Sequence, residues 1–74
     1  MENFLENFAA QFDETDASEI KQETVFKELE EWSSMLALSI IAMADEFYGV
    51  KLKGDDVRNA NTVEDLYNLI MSRK

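Results

Sequence analysis

The 74-residue sequence contains no cysteine, no histidine and no proline, and it has only two glycines. Without cysteine the chain forms no disulfide framework and offers no thiolate nucleophile. Without histidine it lacks the commonest general base and the commonest metal ligand. The scarcity of proline and glycine favours helices. These absences argue against an enzyme and against a metal site, and they indicate a mainly helical chain.

Basic residues are also few: seven lysines and arginines stand against sixteen aspartates and glutamates, which gives a net charge of −9. Such a chain should repel nucleic acids and anionic membranes and should attract basic protein surfaces. The alternative, which we favour for most of these acidic residues, is that they only keep a small protein soluble. The longest apolar run is too short to cross a bilayer, and the acidic N-terminus is unlike a signal peptide. We therefore expect a cytoplasmic monomer that has neither nucleic acid nor membrane as a partner.

Hydrophobic residues nonetheless make up 46% of the chain, which is too many for a disordered tail. A chain of this length has room for one hydrophobic core only. We therefore predict a single folded domain over residues 1–74.

The spacing of apolar residues predicts a first helix over residues 2–13, with one face formed by Phe4, Leu5, Phe8, Ala9 and Phe12. Turn-forming residues then break the pattern at residues 14–18. Residues 19–33 fit two structures, a helix from about Thr24 or a packed loop with a short helical turn. We favour the loop, and long loops in small domains are often functional.

The second helix is predicted over residues 34–48, with Ser33 as its N-cap and Gly49 just after its last turn. On a helical wheel a broad apolar face is expected to be buried: Leu36, Ala37, Ile40, Ile41, Met43, Ala44, Phe47 and Tyr48. The remaining sector is assigned to solvent, although three of its six residues are apolar: Met35, Leu38, Ser39, Ala42, Asp45 and Glu46.

A short third helix is predicted from Gly54 to about Asn59, with Val57 as its apolar anchor. Thr62 then caps a fourth helix, because Asp65 follows three residues later as in a capping box. No convincing pair of strands remains. The fold class is therefore all-α, a small four-helix bundle with three main helices and a short third one.

Ser34 is the residue whose position suggests chemistry. A serine at the start of a helix is most often only a cap. A hydroxyl there is also well placed to carry a phosphodiester, because backbone N–H groups and the helix dipole stabilise the added negative charge. The acidic pairs of the chain match no calcium-loop spacing, and adjacent helical residues do not face each other, so we expect no metal site.

Five short segments resemble the acyl carrier protein family, in its discrete form. The first is Trp-Ser-Ser-Met at residues 32–35, and the others are residues 38–42, 45–46, 48–50 and 60–66. Carriers of that family often show Trp-Asp-Ser-Leu, an aliphatic helix, and then an acidic residue, an aromatic residue and glycine. The resemblance covers about residues 24–72, and the spacing between its segments matches the family without insertions or deletions. The N-terminal third matches only in its order of elements, an amphipathic helix followed by a long loop.

This resemblance implies a fold and a function. The fold is an acyl-carrier-protein-like four-helix bundle, and the serine that bears the 4′-phosphopantetheine arm is Ser34 by position. A phosphopantetheinyl transferase attaches this covalent cofactor from coenzyme A, which makes the chain a phosphoprotein. The thiol of the arm then holds an acyl or peptidyl group as a thioester, as in fatty acid or polyketide biosynthesis. Such a carrier is not itself an enzyme.

The resemblance also implies a partner face on the second helix, consisting of Met35, Leu38, Ser39, Ala42, Asp45 and Glu46. Its expected partners are an acyl-activating ligase, a ketosynthase or an acyltransferase with a basic docking surface. The sequence departs from the family pattern beside the attachment point, where Ser33 replaces the usual aspartate and Met35 replaces leucine. An alternative is therefore an unmodified protein with the carrier fold that acts as an acidic protein–protein interaction module.

Overall fold

Four α-helices make up most of the computed structural model, which describes residues 2–74. They are α1 (Glu2–Ala9), α2 (Ser34–Tyr48), α3 (Gly54–Asn59) and α4 (Val63–Arg73). Two single turns of 3-10 helix, Ala17–Glu19 and Phe26–Glu28, interrupt the long connection between α1 and α2. Within the described range there is no strand. The all-α prediction with a short third helix is therefore confirmed.

Local capping residues set the ends of α2 and α4. The Ser33 hydroxyl accepts a hydrogen bond from the Leu36 backbone N–H at 3.3 Å, and Gly49 ends α2 in the left-handed conformation with φ of 67°. At α4 the Thr62 hydroxyl accepts from the Asp65 N–H at 3.1 Å, while the Asp65 carboxylate accepts from the Thr62 N–H at 3.1 Å. Both the N-cap prediction for Ser33 and the capping box at α4 are confirmed.

The first helix is shorter than predicted. It ends at Ala9 and not near residue 13. The chain then tightens into turns, in which the Gln11 N–H donates to the Phe8 carbonyl at 3.1 Å and the Phe12 N–H donates to the Ala9 carbonyl at 3.0 Å. Phe12 keeps its place in the core, with 7% of its surface exposed. The apolar spacing thus identified the buried residues correctly but not the end of the helix.

The connection between α1 and α2 is a packed loop with short helical turns, as favoured, and not a helix from Thr24. Phe26 anchors it in the core and is fully buried. Two carbonyl groups of the loop also accept hydrogen bonds from the first turn of α4: Val63 N–H to Thr24 at 3.1 Å, and Glu64 N–H to Gln22 at 2.9 Å. These bonds satisfy donors that the start of a helix leaves unpaired.

One hydrophobic core receives side chains from all four helices and from the connections between them. Its buried residues are Phe4, Phe8, Phe12, Ile20, Phe26, Leu36, Ile40, Met43, Ala44, Val50, Leu52, Val57, Ala60, Val63, Leu66 and Ile70. The prediction that Phe47 is buried was wrong, since 55% of it is exposed. Phe47 lies in the last turn of α2, beyond Met43 and Ala44, where that helix makes its last fully buried contacts.

None of the described helices combines the length and the apolar character that crossing a membrane requires.

Between α3 and α4 the link is polar: the Arg73 guanidinium donates two hydrogen bonds to the Asp56 carboxylate, at 2.7 and 2.9 Å. These bonds, together with one from the Lys53 N–H, hold the pKa of Asp56 below its ordinary value.

Candidate modification site and partner surface

Ser34 is the first residue of α2, and its side chain is exposed. The helix does not depend on it for capping, because the Ser33 hydroxyl already accepts the bond from the Leu36 N–H. The Ala37 N–H donates to the Ser33 carbonyl at 3.0 Å, so the first turn is closed by backbone as well. The two adjacent serines therefore have separate roles: Ser33 caps the helix, and the Ser34 hydroxyl is accessible for modification.

The electrostatics of this turn suit an added anion. The N-terminal end of a 15-residue helix carries a partial positive charge, and the first turn of α2 holds no acidic side chain that would offset it. A phosphodiester on Ser34 would therefore meet the favourable end of the helix dipole without a like charge in that turn.

A small groove of about 260 Å³ lies beside this turn. The connection after α1 forms one wall of the groove, and the start of α2 forms the other. Its lining combines polar and apolar side chains: Gln11, Asp13, Glu31, Ser33, Met35, Leu36 and Ser39. Two of the predicted site residues, Met35 and Ser39, thus line the same groove as Gln11 and Asp13, which the sequence did not place near them.

The six residues predicted for the partner face lie along one side of α2. Met35 and Leu38 are 77% and 65% exposed, more than any other large apolar side chain in residues 2–74. Ala42, Asp45 and Glu46 are exposed as well, and Ser39 is half-buried. The structure therefore presents two exposed apolar side chains at the start of a helix whose other end carries two carboxylates.

Phe47 is an exposed aromatic residue that the sequence assigned to the buried face. At about 100° per residue it points roughly 120° away from Met35 around α2. It is therefore not part of the predicted partner face. No signal in the sequence separates Phe47 from the buried residues of the helix, because its spacing from Ile40, Met43 and Ala44 is that of an inward position.

Trp32 fixes the chain just before the two serines. Its ring packs edge-on against Phe26 with ring centroids 4.9 Å apart, and it lies 6.4 Å from the ring of Phe12. Such aromatic pairs are worth about 0.5–1.5 kcal/mol beyond the area that they bury. The entry to α2 is thus held to the core by two aromatic residues of the long connection, Phe12 near its start and Phe26 nearer its end.

Glu31 binds the segment after α1, and the sequence analysis did not identify this contact. Its carboxylate accepts hydrogen bonds from the backbone N–H groups of Asp13, Glu14 and Thr15, at 2.7, 2.9 and 2.8 Å, and from the Thr15 hydroxyl at 2.8 Å. Partial desolvation raises the pKa of Glu31, but these four bonds together outweigh it, and the pKa lies below its ordinary value. No local motif predicts a bond across 16 to 18 residues.

Among residues 2–74, no three or more acidic side chains are grouped so that they could hold a metal ion. No known protein family, curated protein or solved structure with which the chain was compared matches it. The properties that bear on function are therefore those of α2 itself: an exposed serine at its first position, a separate capping residue before it, and an exposed apolar stripe along it.

Proposed function

We propose that this protein is a discrete acyl or peptidyl carrier, loaded with 4′-phosphopantetheine on Ser34. The observation that carries this proposal is that the two serines at the start of α2 occupy different positions. Ser33 provides the cap, while Ser34 is exposed at the positive end of the helix. The resemblance of residues 32–35 to the attachment motif of carrier proteins points to the same serine.

The chain itself would contribute a nucleophile and an electrostatic setting. The Ser34 hydroxyl would form a phosphodiester by attack on the phosphate of coenzyme A next to pantetheine, and the nucleotide part of coenzyme A would leave. In this proposal the transferase supplies the base and the metal ion, and the chain, which has no histidine, supplies only the hydroxyl. Once attached, the arm supplies a thiol that holds cargo as a thioester, and this chemistry is missing from a chain without cysteine.

The exposed stripe of α2 is then the surface for partner enzymes. Met35 and Leu38 offer apolar contact next to Ser34, and Asp45 and Glu46 supply negative charge further along the helix. Charge complementarity of this kind accelerates encounter and gives specificity more than it gives affinity. The stripe therefore suits a transient complex with a basic surface on an acyl-activating ligase, a ketosynthase or an acyltransferase.

A second candidate is a carrier-like protein without the arm that acts as an acidic interaction module. The observation that favours it is Ser33, which stands where carriers usually have aspartate. Serine and aspartate are about equally good N-caps, so the replacement preserves the helix start. It removes a negative charge beside Ser34, however, where a transferase and its metal ion would act.

The two candidates differ in a single reaction. We would incubate the purified protein with coenzyme A, magnesium and a transferase of broad specificity, and then measure the intact mass. The carrier proposal requires one phosphopantetheine increment on the native chain and none on Ser34→Ala. No increment on the native chain would contradict it. Capture of a partner with an affinity that Ser34→Ala leaves unchanged would then favour the interaction module.

A further inference from the structure

Three consecutive backbone N–H groups converge on one side chain in this protein. The N–H groups of Asp13, Glu14 and Thr15 all donate to the Glu31 carboxylate, and both of its oxygens are used. The Thr15 hydroxyl adds a fourth bond. Hydrogen bonds to an ionised acceptor are shorter and stronger than neutral ones. This contact joins the segment after α1 to the residues just before α2.

We propose that this contact is a latch. Glu31 holds residues 13–15 next to the residues that lead into α2. Asp13, the first residue of the held segment, lies with Gln11 on one wall of the groove beside Ser34, while Ser33 and Met35 lie on the opposite wall. Breaking the four bonds releases the wall and opens the groove without unfolding the helices.

The burial of the segment explains why it can open by itself. Asp13 and Glu14 are exposed and Thr15 is only half-buried, so little apolar surface holds them in place. Phe12 on one side is buried in the core, and Asp16 on the other caps its own 3-10 turn by accepting from the Ser18 N–H at 3.0 Å. Segments with few buried apolar contacts open at a lower free energy than the core.

Neighbouring charges oppose the latch. Glu31 shares a second groove, of about 470 Å³, with four further carboxylates: Glu14, Glu19, Glu28 and Glu30. Asp13 faces it from the groove beside Ser34. Neither groove has a lysine or arginine among its described lining residues. Repulsion among these carboxylates favours opening, so the closed state depends on the four hydrogen bonds to Glu31.

The latch should respond to acid in a defined direction. The pKa of Glu31 lies below its ordinary value of 4.5 in the folded chain, because the bonds favour the ionised form. Its contribution is therefore fully present above pH 4.5 and is lost as the pH falls through the lowered value. The latch is closed at neutral pH and opens when Glu31 takes up a proton.

Amide hydrogen exchange measured by NMR tests the latch, with Glu31→Gln compared against Glu30→Gln. Both variants lose one negative charge at adjacent positions, but only Glu31 accepts the bonds from residues 13–15. Losing a charged acceptor should lower the protection of these three amides about tenfold in Glu31→Gln. Glu30→Gln should leave their protection unchanged, and the amides of α4 should be unaffected in both variants.

Two results would overturn the latch. One is equal protection of residues 13–15 in the two variants. The other is a loss in Glu31→Gln that spreads evenly over α2 and α4, since Glu31 would then stabilise the whole fold and not one segment. Thr15→Val, which removes only the hydroxyl bond, should give a smaller loss at the same three amides. All of these measurements use the unmodified chain, so they are independent of whether Ser34 is loaded.

Discussion

Residues 2–33 and residues 34–74 are stabilised in different ways. In the second region nearby residues cap the helices, as Ser33 does for Leu36 and Thr62 does for Asp65, and the start of α4 also makes hydrogen bonds to the long connection. In the first region the stabilising contacts span long stretches of chain, from 16 residues between Glu31 and Thr15 to 41 residues between Asn7 and Tyr48.

Charge follows the same division. Ten of the sixteen acidic residues lie in residues 1–31, together with only two of the seven basic ones. In the first region the acidic side chains repel one another. Buried aromatic rings and the four hydrogen bonds to the Glu31 carboxylate offset this repulsion. The second region has nearly balanced charge and depends on local caps. Substitutions should therefore cost most where a single side chain supports a long loop, and least at the partly exposed polar pair that joins α3 and α4.

The largest effect is expected for Phe26→Ala. Phe26 is fully buried and its ring packs against Phe8 and Trp32, so its loss leaves a cavity beneath the long connection. Replacements of this kind cost about 3–5 kcal/mol of unfolding free energy. Urea unfolding would measure the loss, with the neighbouring Val25→Ala as the control because Val25 is 37% exposed. Similar losses in both variants would show that Phe26 is not the anchor of the loop.

A smaller loss is expected for Thr62→Ala in the second region. It removes the hydroxyl that accepts from the Asp65 N–H and breaks one half of the capping box at α4. Loss of such a cap costs about 1–2 kcal/mol. The exposed Asn68 on the same helix provides the control, and Asn68→Ala should change the urea midpoint little. A cost for Thr62→Ala no greater than the control's would contradict the local account of helix α4.

The adjacent residues Ser33 and Ser34 provide a sharper comparison, because only Ser33 caps α2. Ser33→Ala should lower the unfolding free energy by about 0.5–1 kcal/mol, since its single capping bond is long at 3.3 Å. Ser34→Ala should leave stability within about 0.5 kcal/mol of the native value, as for other exposed substitutions. Equal losses in the two variants would mean that the capping role is shared between them.

The smallest effect is expected at the polar link between α3 and α4. Asp56 has a lowered pKa, so its contribution is present above its ordinary value of 3.8 and is lost as the pH falls below it. Asp56→Asn should therefore lower the thermal midpoint at pH 7, and the difference should shrink as the pH falls through the lowered pKa of Asp56. Asp55→Asn is the control, because the ion pair of Asp55 with Arg58 is largely exposed. A difference that stays the same from pH 7 into the acid range would contradict the assignment.

The same division explains what could be predicted from the sequence. The bounds of α2 and the start of α4 were predicted correctly because Ser33, Gly49 and Thr62 act on residues close to them in the chain. The short α3, predicted from Gly54 to about Asn59, was correct as well. The end of α1 was placed too late, because the apolar spacing that carries Phe12 into the core continues after the helix has ended.

The candidate site divides in a similar way. The exposure of Met35 and Leu38 followed from their positions on α2, and the structure confirms it. Glu31 could not be identified, because its four bonds depend on how the chain after α1 folds back. The exposure of Phe47 was missed for a related reason: helical spacing shows which side of a helix a residue faces, but not how far the core extends along it.

The central claim is that Ser34, and not its neighbour, carries the arm. Trypsin cleaves this chain after Lys27 and Lys51, so the serines Ser33, Ser34 and Ser39 fall in one peptide. Fragmentation of that peptide by tandem mass spectrometry, after incubation with coenzyme A and a transferase, would locate the added group. We expect phosphopantetheine on Ser34 alone. The group on Ser33 or Ser39, or an unmodified peptide, would contradict the account.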